Sequence, residues 1–388
     1  MSIEYSPVDV ACNIKCDYCY ENPMRDAGNI SSKANWPKAK ELLSNFNYRF
    51  SLHGGEPLLA PLVHLEEVFQ FGLEKYGTNG IQTNGTLITG EHIELFKRYN
   101  VNVGISIDGP GSCNSLRRAH DDDETAMATA RTIDAIKTLA QEGLIPSIIV
   151  TVHKLNASDI ARRKIMIEWF SWLESYGIKY LNLHMLETEK GMENLALSEE
   201  ENTEAFLHFY EFSKTSKMHI IPFADIRELL TVGKTGMCIW NGCDPYTTTA
   251  VNGVSRSGQR SNCGRMNKEG VNWVKADTTT RERNLVLFHT PQEYGGCKDC
   301  RFFVFCKGNC PGTAIDGDWR NRTVHCATWF ALFEAIEKEI IEPISHDPRK
   351  LDEMTHMLIN QSDHADSPHI DTHGDSDTWG VPVTWLSV

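Results

Sequence analysis

Cys12-Asn13-Ile14-Lys15-Cys16-Asp17-Tyr18-Cys19 is the stretch from which the rest of this 388-residue chain is read. The C-x3-C-x2-C spacing fits three thiols into one loop and lets them converge on one metal centre. A cubane iron–sulfur cluster takes four ligands, so three cysteines leave one iron open to a cofactor or substrate. Zinc accepts the same thiolates, and these three residues alone do not separate the two metals.

Outward from the loop, strands and helices alternate. Residues 6–10 read as a short strand running into it. Residues 33–46 have helical spacing, and Arg49–His53 is the next strand. Helix 62–75, strand 79–82, helix 89–99, strand Val101–Ile107, helix 124–142 and strand Pro146–Val152 follow. Helix 158–176, strand Lys179–Leu186 and helix 199–214 complete the series. Such alternation implies parallel strands with helical crossovers. About six units predict an α/β fold, a partial (β/α)6 barrel of TIM type that stays open. In barrels of this kind functional residues gather at the C-terminal ends of the strands.

From about residue 236 the pattern changes to glycine, asparagine and eight further cysteines. Cys297-x2-Cys300-x5-Cys306-x3-Cys310 and then Cys326 form a metal array, with Cys238, Cys243 and Cys263 upstream. Eight cysteines suit auxiliary iron–sulfur clusters or two four-thiolate zincs. The expected domains are a barrel over 1–235, a cysteine-rich region over 236–342 and a tail over 343–388. The tail carries His364, His369 and His373 among aspartates and reads as partly disordered, with an apolar end at Trp379–Val388.

Composition narrows the class. The net charge of −14 speaks against a nucleic-acid partner. No apolar run of about eighteen residues predicts a membrane span. Twelve cysteines without an export signal point to metal ligation in a reducing cytoplasm rather than to disulfides.

The cysteine loop, with Tyr18 just before its last cysteine, resembles the signature of the radical SAM enzymes. His53-Gly54-Gly55-Glu56-Pro57, Gln82-Thr83-Asn84-Gly85-Thr86 and Ser106-Ile107-Asp108-Gly109-Pro110 follow in that family's order. The resemblance implies a [4Fe-4S] cluster on Cys12, Cys16 and Cys19 whose open iron binds S-adenosyl-L-methionine. One electron then yields a 5′-deoxyadenosyl radical that abstracts a substrate hydrogen. Tyr18, Gly54, Gly55, Glu56, Thr83, Asn84, Ser106 and Arg131 are the implied cofactor-binding residues. Gly54 and Gly55 let the backbone approach the ligand, and Glu56 anchors their turn.

The later array, with Gly258 five residues before Cys263, resembles the SPASM extension of peptide-modifying radical SAM enzymes. Carried over by position, one auxiliary [4Fe-4S] cluster takes Cys238, Cys243, Cys263 and Cys310, and the other Cys297, Cys300, Cys306 and Cys326. Three clusters use eleven cysteines and leave Cys113 as an incidental thiol.

Over residues 6–335 the organisation is similar to the anaerobic sulfatase-maturating enzymes. Those carry an Asp base after the third cysteine of the extension, where this chain has Gly264. That departure ranks Ser/Cys oxidation of a sulfatase second. Oxidation or crosslinking of side chains in a ribosomally made precursor peptide ranks first. A small-molecule radical dehydrogenase or epimerase and a zinc-stabilised binding protein are the further alternatives. No peptide-recognition domain of about 80–100 residues precedes the barrel, so a precursor's leader is expected to be read elsewhere. A flavodoxin or ferredoxin is the expected electron donor. His184, Asp244 and Tyr246 lie in plausible regions without an assigned role.

Overall fold

The computed structural model describes residues 2–187, 192–233, 235–245, 247, 251–266, 270 and 280–345. The histidine-rich tail, including Trp379–Val388, and Tyr246 lie outside the described residues.

Nine strands make one sheet. They are β1 (Ser2–Ser6), β2 (Phe50–Leu52), β3 (Asn79–Thr83), β4 (Val101–Ser106), β5 (Ser147–Val152), β6 (Tyr180–Met185), β7 (His219–Ile221), β8 (Val251–Ser255) and β9 (Arg260–Ser261). Their order is β7-β6-β5-β4-β3-β2-β1-β8-β9. All neighbours pair in parallel except β8 with β9. The helices are α1 (Asn22–Asp26), α2 (Trp36–Ser44), α3 (Leu62–Tyr76), α4 (Gly90–Arg98), α5 (Asp122–Gln141), α6 (Lys154–Ala157), α7 (Ile160–Ser175), α8 (Glu199–Ser213), α9 (Phe223–Val232), α10 (Glu282–His289), α11 (Phe303–Cys306) and α12 (Cys326–Ser345).

Side chains alternate along each strand, because successive residues point to opposite faces. Ile3, Tyr5, Phe50, Leu52, Val101, Val103, Ile105, Ile148, Val150, Leu181 and Leu183 join one apolar core. Most intervening positions are polar, among them Glu4, Ser6, Ser51, Gln82, Ser106, Thr151 and His184. At the N-terminal end of the strands a cleft of about 800 Å³ is lined by Ser51, Gln82, Asn102 and Ser147.

Three features depart from the sequence reading. The first strand is Ser2–Ser6, not 6–10. Pro7 has no N–H to continue a ladder, and Asp9 turns the chain at φ 51°. The sheet also continues past six units, with β7 added at one edge. At the other edge β8, from the cysteine-rich stretch, pairs with β1 from Ser2↔Val251 to Ser6↔Ser255. The boundary placed at 235/236 therefore runs through a shared sheet.

The two ends of the cysteine-rich region are also fastened to the barrel. Trp240 donates from Nε1 to Asp225 Oδ2 on α9 at 3.0 Å and meets Trp329 of α12 edge-on, ring centroids 5.2 Å apart. Along α12, Glu339 accepts from Tyr210 of α8 and pairs with Arg227 of α9 at 2.5 Å.

Candidate metal and cofactor site

The Cys12–Cys19 loop leaves β1 and crosses the C-terminal ends of β2 to β5. Its backbone is held on both sides. Lys15 N and Asp17 N donate to Arg118 O and Leu116 O at 2.7 and 2.8 Å, while Gly55 N and Glu56 N donate to Asp9 O and Ala11 O, both at 2.8 Å. This second pair explains the glycines. A Cβ on Gly54 would lie 2.3 Å from Asp9 O, and one on Gly55 would lie 2.0 Å from Ala11 O. A side chain at either position would collide with the backbone that leads into the cysteine loop, so both glycines permit this loop-to-loop approach.

Glu56 is 0% exposed. Its carboxylate accepts from Leu58 N (3.0 Å), Thr83 Oγ1 (2.7 Å) and Asn84 N (2.8 Å). Burial pushes its pKa up, against the pull of those donors. Glu56 thus fixes Thr83 and Asn84 at the end of β3. From there Asn84 Nδ2 reaches Asn13 Oδ1 at 2.9 Å and Cys12 Sγ at 3.9 Å. Ser106 Oγ accepts from Gln82 Nε2 at 2.8 Å.

Tyr18 donates its hydroxyl to Asp108 Oδ2 and accepts from Arg117 Nη1 at 3.0 Å. Asp108 and His153 are each 0% exposed, and His153 Nε2 stands 3.5 Å from the same carboxylate oxygen. Burial would raise the Asp108 pKa, but His153, Arg117 and Tyr18 together hold it below the ordinary value. The aromatic side chain of the loop is therefore pinned by its polar end to the ends of β4 and β5. Arg131 is exposed on α5, away from this network. The guanidinium that joins the loop is Arg117, which sequence reasoning missed. A second missed cation, Arg25 of α1, donates to Cys19 Sγ at 3.4 Å and to Val10 O at 2.8 Å.

The cysteines fall into three neighbourhoods. Burial pushes the Cys16 thiol up to about 12, with the charges of Cys19 and Cys12 adding to it. Cys238, also raised to about 12 by burial, interacts with Cys310 and Cys243. Cys263, raised by burial, interacts with Cys238 and Cys310. Cys297, again at about 12 through burial, interacts with Cys326 and Cys300. Cys306 interacts with Cys326, Cys297 and Cys300. Thiols this costly to ionise beside one another are stabilised as thiolates by a metal. Among the described residues no three Cys, His, Asp or Glu side chains are set to hold a single metal ion. Thiols gathered in sets of three and four suit the donor chemistry of iron–sulfur clusters, and zinc takes the same donors.

Two further arrangements adjoin these groups. Arg265, two residues after Cys263, donates to His184 Nδ1 at 2.8 Å and pairs with Glu187 at 2.9 Å. Arg283 is 0% exposed and donates to the carbonyls of Cys243, Lys307, Gly308, Asn309, Trp319 and Asn321. Nothing in the local sequence marks either arginine, because their partners lie tens of residues away. Asp244 is buried and accepts from Thr247 N at 3.2 Å. Cys113 is buried against Gly109 and Met166, apart from the three thiol groups. A Cβ on Gly264 would lie 2.1 Å from Glu21 Oε1 and 2.7 Å from the Tyr20 ring, so a side chain there would require those two side chains to shift.

Residues 7–163 match the radical SAM superfamily. The cysteine-type anaerobic sulfatase-maturating enzyme of Clostridium perfringens is 24% identical over 338 residues, covering 80% of this chain and 88% of that protein. A solved structure of anSMEcpe with bound AdoMet and Cp18Cys peptide shares the fold at a TM-score of 0.66 and 22% identity, over 89% of this chain and 98% of that one. Streptococcus suis SuiB bound to precursor peptide SuiA shares it at 0.54 and 15% identity, over 84% and 75%. No helix among the described residues is long and apolar enough to cross a membrane. The chain carries a radical SAM domain and is a relative of the anaerobic sulfatase-maturating enzymes.

Proposed function

We propose that this protein is a radical SAM maturase that oxidises a side chain of a peptide or protein substrate. The observation that carries the reading is the Cys12/Cys16/Cys19 loop, clasped across the ends of β2 to β5 by Glu56, Asn84, Tyr18 and Asp108. Cys12, Cys16 and Cys19 would hold the [4Fe-4S] cluster, and Gly54, Thr83, Asn84 and Ser106 would bind S-adenosyl-L-methionine. When bound, the cluster supplies the electron that splits the sulfonium and starts hydrogen abstraction.

The chain's own residues do the rest. Glu56 keeps the two strand-end turns in register. Arg117 and His153 hold Asp108 ionised so that Tyr18 keeps one orientation. The remaining eight cysteines would carry two auxiliary clusters, in the sets Cys238/Cys243/Cys263/Cys310 and Cys297/Cys300/Cys306/Cys326, and an external flavodoxin or ferredoxin would supply electrons.

Two substrate classes stand. Sulfatase-type Ser/Cys oxidation is the nearer to the relatives, since the C. perfringens enzyme aligns over 88% of its length. Modification of a ribosomally made precursor peptide is favoured by Gly264, which leaves no carboxylate at the position after Cys263. One experiment addresses both: anaerobically reconstituted protein is incubated with S-adenosyl-L-methionine, reductant and either a sulfatase-derived Cys/Ser peptide or a candidate precursor peptide. Formation of 5′-deoxyadenosine with a two-hydrogen mass loss from the sulfatase peptide selects the first class. A loss on the precursor alone selects the second. No 5′-deoxyadenosine from the wild type under any condition refutes the enzyme itself.

A further inference from the structure

Two asparagines stand one residue ahead of two cysteines of the same group: Asn262 before Cys263, and Asn309 before Cys310. Each is 3% exposed, and the Nδ2 of each is buried without a hydrogen-bond partner among the described residues. A buried N–H without an acceptor is expensive, and natural structures rarely leave one. Two of them at the same cysteine group ask for an acceptor that belongs to the group's ligand.

The orientation of Asn309 is settled by its other atom. Its Oδ1 accepts from Cys310 N at 2.8 Å, so the donor edge faces away from that contact. Its backbone is held as well. Lys307, Gly308 and Asn309 take φ values of 52°, 74° and 56°, three left-handed residues in a row, and such a run persists only when its surroundings fix it. Arg283 supplies that fixation by gripping the carbonyls of Asn309 (2.9 Å) and Gly308 (3.2 Å). The loop that carries Cys310 is therefore built to present both the thiol and the amide from one rigid turn.

We propose that Asn262 and Asn309 donate N–H···S hydrogen bonds to the cluster bound by Cys238, Cys243, Cys263 and Cys310, and so raise its reduction potential. Hydrogen bonds to cluster and cysteine sulfurs stabilise the more negative, reduced state. The two amides thereby suit this cluster to take up an electron released during substrate oxidation. The inference rests on the assignment of that auxiliary cluster in the proposed function.

The test is an EPR-monitored redox titration of full-length, anaerobically reconstituted protein, with iron counted in each sample. Asn262→Leu keeps the side-chain size and removes the donor. It is expected to lower the reduced-to-oxidised ratio of one cluster about tenfold at fixed potential, a shift of about 59 mV for a one-electron couple. The double variant with Asn309→Gly is expected to shift it further. An unchanged potential at full iron content overturns the inference, and so does a change confined to the KM for a peptide. Where a variant loses the cluster, wild-type protein labelled with 15N in its asparagine amides decides. A 15N hyperfine coupling to the reduced cluster supports the bond, and its absence refutes it. Wild-type protein with about eight irons instead of about twelve would refute the cluster assignment itself, an outcome visible before any variant is made.

Discussion

Replacing Arg283 by methionine tests how the cysteine-rich region is held together. The guanidinium has no carboxylate partner among the described residues. It is spent on six backbone carbonyls, the shortest bonds being to Trp319 O at 2.5 Å and to Asn309 O and Asn321 O, both at 2.9 Å. Burial lowers its pKa, while the neighbouring thiols Cys310, Cys243, Cys297 and Cys306 pull it back up. The arginine therefore sits between both auxiliary cysteine groups. Methionine matches much of the volume but leaves the carbonyls without donors. At about 1–3 kcal/mol for each buried unsatisfied group, the three short bonds alone imply a loss of about 3–9 kcal/mol. Entering water and local relaxation bring the expected figure to about 3–5 kcal/mol, the usual cost of removing one partner from a buried charged network. That is a large share of the roughly 5–15 kcal/mol that stabilises a domain. The expected result is a fall from about twelve to about four irons per chain, with the Cys12/Cys16/Cys19 cluster retained. Arg283→Lys is expected to rescue little, since one ammonium cannot span six acceptors. Arg283→Met protein with full iron content and an unchanged denaturant midpoint would refute the reasoning.

Four other outcomes follow from the same contacts. Gly55→Ala puts a Cβ 2.0 Å from Ala11 O and is expected to abolish iron binding by the first loop, read as iron content and 5′-deoxyadenosine yield; normal yield would contradict it. Glu56→Ala orphans three donors at Leu58, Thr83 and Asn84 and should cost about 2–4 kcal/mol in chemical denaturation, whereas Glu56→Gln, which keeps an acceptor, should cost less. Tyr18→Phe removes both the Asp108 and Arg117 bonds and is expected to lower the rate of S-adenosyl-L-methionine cleavage about tenfold, equivalent to about 1.4 kcal/mol, with the iron count unchanged. His184 is held down to about 3, chiefly by burial and then by Arg265. Its folded pKa lies below the unfolded value, so its contribution is complete above about pH 6.5 and is lost as pH falls from there toward 3. Between pH 7 and 5 this amounts to about 1–2 kcal/mol, and His184→Gln should flatten that part of the stability profile.

What could be read from the sequence was what repeats locally or is spelled within a few residues. The strands and helices of the barrel announce themselves through period-two and helical spacing, and the cysteine loop through its own pattern. Glu56 was legible too, because it acts on Leu58 close by and on a motif already identified. The edge strands were not. β7 has only three residues and β9 two, and β8 is defined by pairing with β1 some 250 positions away, a contact no window on the sequence contains. The arginines fail for the same reason. A guanidinium suits a carboxylate, yet residue type cannot say which face of a helix looks inward, and the arginine that meets Tyr18 is Arg117. Arg283 is the extreme case. A buried cation whose partners are backbone carbonyls leaves no complementary side chain to find, so its role appears only once the chain has folded around it. The same argument gives Gly264 its meaning. As a letter it marks a missing carboxylate, but in the fold its place is filled by Glu21 Oε1 and the Tyr20 ring. The residues after Cys19 and those after Cys263 therefore meet at this turn. Installing an aspartate at position 264 would require the Glu21 side chain and the Tyr20 ring to move aside.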